Sequence, residues 1–333
     1  MPEVSIIVPC FNEEQTIQLL LQSIYQQTVS IDRLEVVISD GLSTDRTRQK
    51  IDEFIISHPG LSVRVVENSK RTIPSALNRA IEESTGEYII RLDAHSVPAN
   101  NYVELCLHDL DEGKGDNVGG VWDIKPQGDN LIAKSIAIGA SHKLGVGDAR
   151  YRYTNQAGWV DTVPFGAFKR DIVKQVGLFD ESLLTNEDYE FNVRIRKHGG
   201  HIWLNPAIRA VYFSRPDIPS LAVQYWRYGL WKWLMLRKNP GTIKWRQFLP
   251  PFFVSSLIGL IILGILTPVF WMLLVLEIFI YFFILLAASF WEGYKIKDLR
   301  VGFPVALSIA TMHFCWGTGF LWSMVKSLFV RKT

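Results

Sequence analysis

A chain of 333 residues with 48% hydrophobic content carries 35 Lys and Arg against 33 Asp and Glu, a formal charge of only +2. That balance leaves no electrostatic footprint for nucleic acid, and no basic tract interleaved with strand aromatics occurs in the first 200 residues, so no nucleic acid partner is expected. The three cysteines, Cys10, Cys106 and Cys315, are far apart and odd in number, which indicates neither a disulfide framework nor a zinc cluster and fits a reducing compartment.

The first ninety residues alternate strand and helix patterns. Val4 to Pro9 is a continuous β-branched run suited to a strand buried on both faces, and it starts too early to leave room for a signal peptide. The N-terminal domain is therefore expected on the cytoplasmic side. Asn12 is placed to cap a helix in which Ile17, Leu20, Leu21 and Ile24 recur on one face. "LEVVISD" reads as a second strand, "DGLSTDRT" as a turn into a helix, "SVRVVEN" as a third strand, "IPSALNRAIEEST" as a helix from near Pro74, and "GEYIIRLD" as a fourth strand. This order predicts an α/β fold with a mostly parallel sheet and helices on both faces, and in such sheets ligands bind beyond the carboxyl ends of the strands. "CFNEE", Asp40, and Asp93 with His95 all fall at such ends and are expected to converge.

Each has a plainer reading, since Asp40 and Asp93 are ordinary turn or cap residues and a lone histidine is usually a satisfied surface group. Together they make a chemical argument. A crevice of carboxylates repels an anionic ligand unless a cation lies between them, and Asp93 and His95 can offer oxygen and nitrogen to Mn²⁺ or Mg²⁺ bridging to a diphosphate. No GxxxxGK[ST] or GxGxxG motif is present, which removes the signatures of phosphate-loop ATPases and dinucleotide enzymes.

Downstream, Gly166, Ala167 and Phe168 are candidates for a pocket wall, which the resemblance described below makes the acceptor side, with a tight turn as the plain alternative. Glu187 and Asp188 open a predicted helix, where acidic residues also suit the dipole. From Arg209 to Arg246, eight Lys and Arg face one acid, Asp217, a bias that predicts a membrane-surface helix. "FLPPFFVSSLIGLIILGIL" and "VFWMLLVLEIFIYFFILLAASF" are spanning-length runs joined by a tight hairpin at Thr267-Pro268, with Glu277 expected to meet a neighbouring helix. A third run covers about 301–325, where His313 reads as a packing or headgroup contact. Its basic flank of Lys326, Arg331 and Lys332 favours a cytoplasmic tail, which three full crossings would not give without a break near Gly317 to Gly319. The expected domains are 1–215 catalytic, 216–247 interfacial, and 248–333 membrane-embedded with two to three spanning or re-entrant helices.

"VSIIVPCFNEE", "VVISDGLSTDRT", "IPSALNRAIEESTGEYIIRLDAH", "FGAFKRDIVKQVGLFDE" and "NEDYEFNVRIRKHGG" resemble, in order, the motifs of the family 2 inverting glycosyltransferases, over roughly residues 4–215. The resemblance implies a GT-A fold, a nucleotide-sugar donor that is usually a UDP-sugar, and a divalent metal. Pro9, Phe11, Asn12 and Glu13 would line the uridine pocket and Asp40 would accept from uracil or ribose. Asp93 would touch donor and metal, with His95 replacing the commoner second metal carboxylate. Lys70, Arg71 and Asn78 fall in the donor-side segment. Asp188 would be the general base, Glu187 its orienting neighbour. Gln224, Arg227 and Tyr228 resemble a Gln-x-x-Arg-Trp acceptor motif with tyrosine in the last place. The implied activity is transfer of a sugar, glucose by resemblance to polysaccharide-building members, onto a polyprenyl-diphosphate-linked saccharide at the cytoplasmic membrane by a multi-pass protein. A processive polysaccharide or glycolipid synthase and a noncatalytic nucleotide-sugar-binding protein are the alternatives.

Overall fold

The computed structural model describes residues 2–329, which divide into two compact units: residues 2–123 with 150–212, and residues 124–149 with 213–329. In chain order the elements of the first half are β1 (Val4–Cys10), α1 (Ile17–Tyr25), β2 (Leu34–Asp40), α2 (Thr47–Ser57), β3 (Ser62–Glu67), α3 (Ile73–Glu83), β4 (Tyr88–Arg91), β5 (Ser96–Pro98), α4 (Tyr102–Asp111) and β6 (Asn117–Lys125). Then come α5 (Leu131–Ser141), α6 (Lys143–Val146), β7 (Gly158–Val160), β8 (Ala167–Lys169), α7 (Arg170–Val176), α8 (Glu187–Lys197) and β9 (Ile202–Phe213). The chain continues as α9 (Ile218–Lys238), α10 (Trp245–Leu266), α11 (Val269–Lys295) and α12 (Gly302–Phe329).

Strands β3, β2, β1 and β4 pair in parallel, as their alternation with helices requires. Beyond β4 the sheet is mixed. β8 joins β4 antiparallel, β6 joins β8 antiparallel, and β5 and β7 each join β9 antiparallel. The parallel strands are as expected; the antiparallel additions go beyond the sequence reading, because strands this short carry little periodicity and their pairing is set by partners distant in sequence. Alternate residues of β1 enter opposite cores. Val4, Ile6 and Val8 pack with Ile17, Leu20, Phe54 and Val103 on one face, while Ile7 packs with Leu77, Ile81, Ile172 and Phe191 on the other. The strand is apolar at nearly every position because both faces are covered.

Local rules explain the helix starts. Thr72 is extended and Pro74 sits in the first turn of α3, where its missing N–H costs nothing. The α8 start has Glu187, Asp188 and Glu190 in its first turn and Arg194, Arg196 and Lys197 in its last, matching both ends of the helix dipole. Asn12 does not cap α1, contrary to expectation. Its left-handed backbone, φ 54°, redirects the chain and Thr16 occupies the cap position.

Residues 124–149, assigned from sequence to the catalytic domain, fold instead with the C-terminal helices. The apolar helix α5 packs on α12 through Ile136, Met312 and Ile309. Helices α10, α11 and α12 are long and apolar enough to cross a membrane. The α10–α11 hairpin turns at Thr267-Pro268 as predicted, and Ser256 of α10 donates to Glu277 of α11 at 2.5 Å, satisfying that carboxyl within the helix pair. His313 is a packing residue, its Nδ1 3.0 Å from the Tyr281 hydroxyl and its Nε2 2.8 Å from the Leu144 carbonyl.

No break occurs at Gly317 to Gly319, since α12 runs unbroken through them. These glycines serve close approach. A Cβ at Gly319 would lie 2.4 Å from the Trp226 carbonyl oxygen of α9, and one at Gly317 would lie 2.6 Å from that of Pro250 in α10. Arg331 and Lys332 lie outside the described residues. On α9, Gly229 meets the Trp316 carbonyl oxygen, where a Cβ would come to 2.1 Å. Gly229→Ala should therefore destabilise the helical unit by about 1–3 kcal/mol, read as a lowered thermal midpoint in detergent. Gly259→Ala on α10, where a Cβ meets nothing within 4 Å, should raise or leave unchanged the same midpoint.

Candidate active site

The crevice is built where β1, β2 and β4 end, with Cys10 paired to Asp40 and Ile7 to Arg91. The loops after β1 and β2 are tied together. Asn12 N donates to Ser43 Oγ (2.9 Å), Thr44 N donates to Asn12 Oδ1 (2.8 Å), Glu13 N donates to Thr47 Oγ1 (2.7 Å), and Arg46 N donates to the Glu14 carboxylate (3.0 Å). Phe11 stands half exposed over Gly41, whose absent side chain leaves room for the ring. Phe11 and Pro9 thus remain accessible, and Phe11 offers an aromatic face beside the turn.

Asp40 is wholly buried rather than turned to a ligand. Its carboxylate accepts from Ser43 Oγ (2.5 Å), Ser43 N (3.1 Å) and Arg48 Nε (2.8 Å), so in this arrangement it braces the β2–α2 loop. The turn chemistry that makes Asp common at strand ends has claimed it. Asn78 is likewise engaged: it exchanges hydrogen bonds with the Phe179 backbone at 2.9 Å in both directions and pins α3 to the 179–181 segment. Lys70 pairs with Glu181 of that segment at 2.5 Å, and Arg71 adopts a left-handed backbone at φ 54°.

At the end of β4, Arg91 is the residue that sequence reasoning missed. Its guanidinium lies 3.1 Å from Asp93 and 3.0 Å from Glu187 of α8, so one buried cation joins the end of β4 to the start of α8. The signal was an arginine as the last residue of an otherwise apolar buried strand, a place where charge persists only with partners. Burial works against that charge, but Asp93, Glu187 and Asp188 hold the guanidinium protonated above its ordinary range. For Glu187, burial outweighs the pull of Arg91, and the adjacent Asp188 charge adds to it, pushing the carboxyl up to about 7. Asp188 is only half-buried, and its Oδ1 accepts from Tyr189 N at 2.7 Å, which orients the other oxygen's side of the group.

The acceptor-wall candidates are corrected. Phe168 is buried in the second core against Phe191 (ring centres 5.1 Å apart), and Ala167 is wholly buried in β8. Gly166 makes the tight turn, φ 29°, its N–H donating to Pro164 O, and a Cβ there would meet the Asn117 amide at 2.6 Å. Asn117 donates in turn to Asn192 (2.6 Å) and Asn192 to Thr162 (2.9 Å), a buried ladder of side chains. The whole stretch 162–168 is buried; the sequence run alone does not distinguish a wall from a core strand. Gln224, Arg227 and Tyr228 lie on α9 of the other unit, where Gln224 Nε2 donates to the Tyr228 hydroxyl at 3.1 Å and Arg227 is exposed.

Among the described residues no three His, Cys, Asp or Glu gather as a complete metal cluster. Asp93 and His95 supply at most part of a coordination sphere. They fit a divalent ion whose remaining ligands come from a diphosphate, because the His95 Nδ1 is already held by Glu13 Oε1 at 3.0 Å, the outer contact that ligating histidines usually have.

Residues 5–177 match the family model described as glycosyl transferase family 2. A dolichyl N-acetyl-α-D-glucosaminyl phosphate 3-β-D-2,3-diacetamido-2,3-dideoxy-β-D-glucuronosyltransferase of Methanococcus voltae is 29% identical, covering 97% of each chain. The succinoglycan biosynthesis protein ExoA of Rhizobium meliloti (strain 1021) is also 29% identical, over 95% of this chain and 93% of its own. A solved structure, mannosyltransferase PcManGT from Pyrobaculum calidifontis in complex with GDP-Man and Mn²⁺, superposes with TM-score 0.62 at 20% identity, over 99% of this chain and 88% of that one, and supports the GT-A fold.

Two outcomes follow from the buried network. Arg91→Met leaves its carboxylates without a counterion and should cost about 3–5 kcal/mol of stability, seen as a large drop in thermal midpoint together with lost nucleotide binding. Because the Glu187 carboxyl is raised when folded, its contribution to stability is present below about 4.5 and is lost as pH rises through about 7. Thermal midpoints measured across that window should fall with rising pH, and Glu187→Gln should flatten the slope.

Proposed function

Because the chain belongs to glycosyl transferase family 2, we propose that its crevice transfers a hexosyl unit from a UDP-sugar to a lipid-linked saccharide, by a single inverting displacement. The observation that carries this reading is the Arg91 bridge, which sets the Glu187-Asp188 pair and Asp93 around one cation. An acceptor hydroxyl forms the new bond to the anomeric carbon as the bond to the diphosphate breaks. The proton goes to Asp188 and the bonding electrons leave with the diphosphate. Inversion needs no covalent nucleophile, only a carboxylate on the attacking side and compensation of charge on the leaving side.

Asp188 suits the first role: it is half-buried, held by Tyr189 N, and flanked by Glu187, whose raised carboxyl keeps a second full negative charge from crowding it. Pro9, Phe11 and Asn12 form the base-side wall, with Phe11 as stacking face. Asp93 and His95 hold the divalent ion, which when bound supplies positive charge to the leaving diphosphate. Arg91 orients Asp93 and Glu187 rather than meeting substrate.

The lipid-linked acceptor is supported by three helices of spanning length and by the dolichyl phosphate sugar in the name of the Methanococcus voltae relative. With eight basic residues between Arg209 and Arg246, a catalytic unit on the cytoplasmic face of a multi-pass protein is the orientation proposed. Glucose, the sugar expected from sequence, follows the exopolysaccharide relative; the archaeal relative of equal identity is named for a diacetamido uronosyl transfer, so the sugar pocket is assigned only as hexosyl.

Membranes containing the protein, given a panel of labelled UDP-sugars, should incorporate one of them into the lipid-extractable fraction. Chelation should abolish the label, and Asp188→Asn should lower the rate by about 10²–10⁴ while nucleotide binding persists. Unchanged transfer by Asp188→Asn would remove the base assignment.

A further inference from the structure

We propose that Glu13 is a positioning residue for His95: it fixes the imidazole as the tautomer bearing hydrogen on Nδ1, makes Nε2 the metal-ligating nitrogen, and so biases the site toward Mn²⁺ over Mg²⁺. This rests on the donor reading above, and changes the part Glu13 plays in it from pocket wall to outer-shell anchor.

The argument begins with what a carboxylate can do. When ionised it only accepts, so its 3.0 Å contact to His95 Nδ1 is a hydrogen bond when that nitrogen carries the proton. In neutral imidazole the lone pair then belongs to Nε2. Glu13 is itself immobilised from the other side. Thr16 Oγ1 donates to its Oε2 at 2.6 Å, its N–H donates to Thr47 Oγ1 at 2.7 Å, and its carbonyl accepts from Thr16 N at 3.0 Å and Ile17 N at 2.9 Å. The carboxylate therefore points as the turn leading into α1 dictates, and the ring follows it. The ring is further flanked by Tyr212, whose centre is 6.3 Å away.

Selectivity follows from the donor atoms. Imidazole nitrogen suits first-row transition ions, whereas Mg²⁺ favours oxygen ligands and ideal octahedral geometry. Replacing a carboxylate by His95 in a two-residue set removes half of the protein's oxygen donation. Without Glu13 the ring loses this acceptor for Nδ1 and the tautomer preference that the contact sets, and loss of such an outer partner typically lowers metal affinity by about 10–100-fold.

The test uses the full-length protein in detergent with saturating UDP, and GDP in parallel, with Mn²⁺ binding followed by electron paramagnetic resonance and competed by Mg²⁺. Pulsed measurements on the wild-type Mn²⁺–nucleotide complex should show coupling to imidazole ¹⁴N, and His95→Asp should abolish that coupling and narrow the Mn²⁺ preference. Glu13→Gln, which keeps an acceptor for Nδ1, should retain the coupling. Glu13→Leu should weaken Mn²⁺ binding by about 10–100-fold and reduce the Mn²⁺-to-Mg²⁺ ratio, with metal-free nucleotide binding and thermal midpoint checked beside it. Nucleotide-dependent Mn²⁺ binding without nitrogen coupling in the wild type overturns the assignment by itself, whatever the variants do, and leaves the transferase reading in place. An unaltered metal ratio in a folded Glu13→Leu protein overturns it too. Binding of neither nucleotide would instead remove the donor reading, and this assignment with it.

Discussion

A buried guanidinium holds the acidic crevice together. Asp93, Glu187 and Asp188 are drawn to one place by the ends of β4 and α8, and Arg91 lies between them. Two unit charges at 4 Å interact by about 4 kcal/mol at an effective dielectric of 20, so without its cation the cluster could not keep all its carboxylates charged, and Glu187, already raised by burial, would take up a proton. The hydrophobic packing of Phe191 against Phe168 and Phe179 brings α8 to the sheet, but only the Arg91 pairing makes its first turn tolerable there. The same contact that stabilises the fold also sets the Glu187-Asp188 pair next to Asp93.

Around that centre the crevice is rigid by hydrogen bonding rather than by apolar contact. The loops after β1 and β2 exchange backbone and side-chain bonds through Asn12, Ser43, Thr44 and Thr47, and Asp40 is spent on this brace. Glu13 inherits its direction from Thr16 and passes it to His95. The Gly166 turn closes on the Asn117 amide, which continues into Asn192 and Thr162. Most of these polar groups are joined in ladders, which favour one arrangement of the loops, although Asn117 Oδ1 is buried without a hydrogen-bond partner.

Much of this was legible in the chain. Continuous apolar runs marked the parallel strands β2, β1 and β4, because a strand covered on both sides must be apolar nearly throughout, and β3 was marked by its β-branched residues although it is only partly buried. Spanning length gave α10 to α12, and a two-residue link gave their hairpin. The short strands β5, β7 and β8 were illegible, since three residues carry no period and pairing partners lie up to about a hundred positions away. Reading α5 as part of the catalytic domain failed for a related reason: an eleven-residue apolar helix suits either unit, and only its contacts with α12 decide.

For the site, the sequence determined which chemical groups are available and at which strand and helix ends they fall: Asp93 and His95 two residues apart, Glu187 and Asp188 opening a helix, and an acidic set lacking a phosphate loop. Those facts depend on local periodicity and residue type. Tertiary structure decided which groups face one another. It buried Asp40 and Phe168, tied Asn78 to the Phe179 backbone, joined Glu13 to His95 across 82 positions and Arg91 to Glu187 across the sheet, and turned Gly317 and Gly319 from a supposed break into a seam for α9 and α10. A hydrogen bond or ion pair acts over a few ångströms, and distance in space between residues far apart in sequence is fixed by packing rather than by composition.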